Sequence, residues 1–90
     1  MPGERWIGQV IISPEVEAKL RTAHYLTGDQ IRQAVCWGAH DRAAWDNDSV
    51  YGERLVVTGS TDETGPLIAY LRPVDESDGT WECLTAWRID

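Results

Sequence analysis

The 90-residue chain reads as an α+β domain: one strand, a two-helix hairpin, then three or four antiparallel strands. Three observations predict this. A β-branched run, Val10-Ile-Ile12, stops at Ser13-Pro14. Two stretches with apolar residues at helical spacing follow it. The last third then holds three β-type runs separated by acidic, glycine-containing turns.

Trp6–Ile12 has the weak alternation and branched residues of a half-buried strand. Ser13 is a good N-cap, and Pro14 loses no needed donor at the first helical position. Glu15 and Glu17 suit the positive end of the macrodipole, and Val16, Leu20 and Ala23 share a face, so Ser13–Tyr25 reads as an amphipathic helix. Thr27-Gly-Asp-Gln30 reads as a capping box opening a second helix through Ile31, Ala34 and Val35, with Gly38 as its stop. Ala39–Glu53 is rich in Asp and Asn and reads mostly as loop, with a short strand near Arg42–Trp45. The strand runs are Arg54–Gly59, Pro66–Arg72 and Thr80–Ile89. Residues 1–90 form a single domain.

Net charge is −7, with 42% apolar and 26% charged residues. The acidic excess argues against a whole-surface grip on nucleic acid. It is concentrated in Gly38–Glu53 and Ser60–Thr80, so a local cationic site is allowed, because charges beyond about 8 Å are largely screened. No stretch approaches the roughly 20 apolar residues of a membrane span, and the first residues lack a secretory signal's pattern; the expectation is a cytoplasmic chain with Cys36 and Cys83 reduced. Cys36-x-x-x-His40, even with His24 and Cys83, lacks the paired spacings of structural zinc, so no metal or other cofactor is expected. A chain this short has little room for a deep small-molecule pocket.

Arginine packs poorly in a strand, yet its planar fork binds phosphate bidentately. Arg54 opens one run, Arg72 closes the next and Arg88 sits near the end of the last. The functional expectation is that these guanidiniums converge at the mouth of the sheet. Salt bridges to the abundant carboxylates are the competing reading.

Three segments resemble the RelE/ParE-like superfamily of type II toxins, most closely its BrnT-like branch. Ser13–His24 with Leu26–Ile31 is similar to the family's first helix, its histidine and the break into the second helix. Gly52-Glu-Arg-Leu-Val-Val-Thr-Gly59 is similar to its second strand, and Leu84-Thr-Ala-Trp-Arg88 to its final strand. Two features depart from the family pattern: Trp87 stands where the strand arginine falls, with Arg88 one place later, and the basic C-terminal helix of many relatives is missing.

The resemblance implies a RelE-like fold and a metal-independent ribonuclease toxin acting by transesterification. Its partners would be RNA, with ribosome-associated mRNA included, and a cognate antitoxin through which it oligomerises. On this reading His24 or Tyr70 handles protons while Arg54, Arg72 and Arg88 stabilise charge on phosphate. Each residue also has a structural reading. His24 suits a helix C-terminus, and Tyr70, on one strand face with Ile68 and Arg72, suits packing. Lys19, Arg21 and Arg32 are either RNA or antitoxin contacts or solvated helix faces. Trp81 and Trp87 share one parity in their strand, which places both on the same face as packing or as a base-stacking platform. The alternative function is a non-catalytic interaction or regulatory module on a degenerate toxin scaffold, for which the acidic charge suggests a basic protein partner.

Overall fold

The structure is a computed structural model that describes residues 6–50, 52–75 and 77–89. Strand β1 covers Gln9–Ile11, in the latter half of the expected Trp6–Ile12 run, and buries only Val10. Ser13 starts α1, Pro14–Lys19, by accepting the Val16 N–H at 3.2 Å. The helix then widens into a π-helical turn, Leu20–His24, and Tyr25 closes it in the left-handed conformation at φ 56°. The Thr22 hydroxyl donates back to the Ala18 carbonyl at 3.0 Å, a competition with the ladder that loosens a helix.

The expected capping box is present on α2, Gly28–Val35. Gln30 N–H donates to Thr27 Oγ1 at 3.2 Å, and Thr27 N–H donates to Gln30 Oε1 at 3.0 Å. The face that this helix buries is Ile31, Ala34 and Val35, i, i+3 and i+4, as amphipathic spacing requires. A tight turn, Cys36–Gly38, ends it.

Four strands follow: β2 Arg42–Asp48, β3 Gly52–Thr61, β4 Gly65–Asp75 and β5 Thr80–Arg88. They form an antiparallel meander, and β1 adds to β5 in parallel, giving the order β1-β5-β4-β3-β2. The region read mostly as loop holds β2, a strand longer than Arg42–Trp45. Its polar half pairs in unbroken register to Asp48 opposite Gly52, because a hairpin partner overrides weak local propensity.

The helices cover one sheet face. That face contributes Leu55, Val57, Leu67, Ala69, Leu71, Trp81, Cys83 and Ala86 to the core, against Leu20, Leu26, Ile31 and Val35. Strand β5 carries one extra residue against β4, since Tyr70 pairs with Thr85 and Leu71 with Cys83. This bulge at Leu84 overturns the parity expected of the two tryptophans. Trp81 is buried in the core, whereas Trp87 lies opposite Ile68 on the other face. No helix among the described residues is long and apolar enough to cross a membrane.

Cys36 and Cys83 are both buried and free of disulfide. Burial pushes the Cys83 thiol up to about 12 from an ordinary value of 9.0. Between those values the unfolded chain has lost this proton while the folded chain keeps it. Stability therefore falls as pH rises through the window, by at most about 1.4 kcal/mol per unit from this group. Urea unfolding at pH 8 to 11 should show a shallower alkaline loss in Cys83→Ala than in wild type. Parallel curves would contradict the assignment.

Candidate functional site

The face of the sheet opposite the helices carries no packed element among the described residues. Alternation places Arg42, Ala44 and Asp46 of β2 on it, with Arg54, Val56 and Thr58 of β3 beside them. Next come Ile68, Tyr70 and Arg72 of β4, then Glu82, Thr85 and Trp87 of β5.

One row of groups crosses this face. Arg54 lies over the Tyr70 ring, its guanidinium carbon 4.4 Å from the centroid. The Tyr70 and Trp87 centroids are 5.0 Å apart and tilted by 33°. Beyond Trp87 stands His24, 6.3 Å between centroids. The last residue of the π-helical turn reaches the row because β1 pairs only with Thr80–Glu82, leaving the C-terminal half of β5 beside that turn. Tyr70, Trp87 and His24 thus come from three elements far apart in sequence.

The three guanidiniums do not gather as one set: Arg54 and Arg72 share the open face on neighbouring strands, and Arg88 does not. Arg54 Nη2 is 3.0 Å from Asp46 Oδ2, and Arg54 Nε donates to the same oxygen at 3.1 Å. Arg72 is ion-paired with Glu82 across the β4–β5 ladder. Arg88 leaves the open face altogether. It pairs in register with buried Leu67, and its Nη2 donates to the Tyr25 carbonyl at 2.9 Å, satisfying the end of the helical turn. The expectation of three arginines at one mouth is corrected on this point: two share the open face, each with a carboxylate, and the third ties a helix end to the sheet.

The other candidate cations, Lys19, Arg21 and Arg32, are spread over the helical layer. Arg21 pairs with Glu17 at 3.2 Å, and this hydrogen bond, with one from the Gly28 N–H, holds the Glu17 carboxyl below its usual range. Arg32 pairs with Asp29 at 3.3 Å and donates from Nε to the Val10 carbonyl at 3.0 Å, joining α2 to β1. Lys19 is exposed on α1. His40 Nδ1 lies 3.1 Å from the Val35 carbonyl. Among the described residues no group of three or more His, Cys, Asp or Glu is placed to hold a metal ion.

Sequence reasoning missed Asp46 and Glu82, the carboxylates that face the arginines. Asp46 and Arg54 lie symmetrically about the β2–β3 turn, a signal legible only once β2 is recognised as a strand. Trp87 was missed as a member of the row because nothing local marks the bulge. No protein-family model, no curated protein and no solved structure matches this chain.

Proposed function

We propose that the chain is a RelE-like scaffold serving as a protein-interaction module, with the open sheet face as its docking surface. The observation that carries this is the pairing of Arg54 with Asp46, Arg72 with Glu82 and Arg88 with a helix-end carbonyl. A ready-made phosphate clamp needs guanidiniums aimed at one point; here each is turned to a separate oxygen of the chain itself. What the face offers instead is an apolar centre of Val56, Ile68, Tyr70 and Trp87 inside a rim of ion pairs. Aromatic centres with polar rims are the anatomy of protein interfaces, and Trp, Tyr and Arg are the residues that dominate their energetics. The acidic charge of −7 favours a basic partner with an apolar anchor, and the resemblance makes a cognate antitoxin the natural occupant.

The ribonuclease toxin is the second reading, favoured by the gathering of His24, Tyr70, Arg54 and Arg72 at one face. Exposed ion pairs are worth only about 0–1 kcal/mol, so a phosphate can displace them, and Asp46 or Glu82 then supplies a general base. Its weakness is spacing. His24 and Arg54 stand on opposite sides of Tyr70 and Trp87, with strands β4 and β5 between them. Roughly 10 Å or more of sheet therefore separates them, too far to flank one phosphate. Inducing the chain in cells, with and without its neighbouring reading frame, separates the two. The module reading expects no growth arrest, and a salt-sensitive complex with the neighbouring product that Trp87→Ala weakens about tenfold or more. Growth arrest with RNA cuts that vanish in Arg54→Ala plus Arg72→Ala would reverse the ranking.

A further inference from the structure

We infer that the β2 edge pairs antiparallel with β2 of a second copy, joining two sheets into one. The two ends of the sheet are guarded unequally. At one end β1 is three residues long and is followed within the chain by Pro14, and the rest of β5 lies beside the π-helical turn. At the other end β2 runs seven residues with no strand on its outer side among the described residues. Proteins usually blunt such an edge with charged side chains, lysine above all, or with proline, a bulge or an overlying element. Residues 42–48 contain no lysine or proline, their register with β3 is unbroken, and the charges they carry are of both signs, which a second copy can complement.

The occupant follows from charge and size along Arg42-Ala-Ala-Trp-Asp46. Arg42, Ala44, Trp45 and Asp46 are all exposed. The strand is basic at its start and acidic at its end, so antiparallel pairing with itself matches opposite charges, whereas parallel pairing matches like with like. With Ala44 on the two-fold axis, Arg42 faces Asp46 of the second copy, and symmetry repeats that pair. Ala43 then faces Trp45 of the second copy, small against large, on the helix-side face. Asp46 would lie between its own Arg54 and the incoming Arg42. Residues directly opposite in an antiparallel pair share a face, so both aromatic rows emerge on the same side of the joined sheet.

The test is sedimentation equilibrium of the full chain from about 1 to 500 µM, a range that captures an interface smaller than the standard size. The expected result is a monomer–dimer equilibrium. Ala44→Lys, which sets two charges face to face on the axis, and Arg42→Glu should each raise the dissociation constant at least about tenfold. Gln33→Glu, an added charge on the exposed side of α2, should leave it unchanged, with near-UV circular dichroism verifying the fold of each variant. A monomer at every concentration, or a dimer indifferent to both edge substitutions, would overturn the inference.

Discussion

Gly59→Ala is expected to cost about 3 kcal/mol or more of stability, read as a fall in the urea midpoint by tryptophan fluorescence. Gly59 faces the helices from β3, opposite Leu67, and a Cβ there would lie 2.1 Å from the Ala34 carbonyl oxygen and 2.9 Å from its carbon. Those are backbone atoms of α2, so no rotamer change relieves the clash; the helix must lift from the sheet. Local propensity argues the other way. Glycine weakens a strand interior, and replacing it by alanine ordinarily stabilises by restricting the unfolded chain. The sign of the result thus reports whether α2 is seated directly on β3. Ser60→Ala, one residue on and exposed, should change stability by no more than about 0.5 kcal/mol. A neutral or stabilising Gly59→Ala would mean that α2 packs elsewhere.

Trp81→Ala is the second large loss, expected at about 3–5 kcal/mol. The Trp81 side chain is fully buried, its ring lies 5.9 Å from that of Trp45, and its Nε1 donates to the Trp6 carbonyl at 2.9 Å. Removing the indole opens a cavity and leaves that carbonyl without its donor. Trp87→Ala, six residues along the same strand, should cost about 1 kcal/mol or less, because its ring lies on the open face and is 37% exposed. Strict alternation in β5 would make the two substitutions alike. A wide gap between them reports the bulge at Leu84, and equal losses would contradict it.

Local chemistry made much of the fold legible. Ser13 and the Thr27–Gln30 box set helix starts through hydrogen bonds within three residues, which a sequence displays directly. Strands β3, β4 and β5 were legible because their apolar residues alternate between glycine-containing turns. Of strand β2 only the Arg42–Trp45 half was, since Asp46 and Asn47 have weak strand preference and are held by the hairpin alone. The π-helical turn was hidden as well, because Ser13–Tyr25 keeps its apolar spacing across the change of pitch. For the site, residue types were legible and their grouping was not. Tyr70 and Arg54 were both named as candidates, but that the guanidinium lies over the ring, and which carboxylate meets which arginine, depend on register between strands. Arg88 shows the limit most plainly, for one place along β5 takes it off the open face.

The role proposed for this sheet face is binding without cutting. Its most direct measurement is incubation of the purified chain with single-stranded RNA in EDTA, followed by end-group mapping of the products. Intact RNA, with wild type and Arg54→Ala plus Arg72→Ala indistinguishable, is the result predicted here. Fragments ending in 2′,3′-cyclic phosphate from wild type, absent with the double variant, would contradict it.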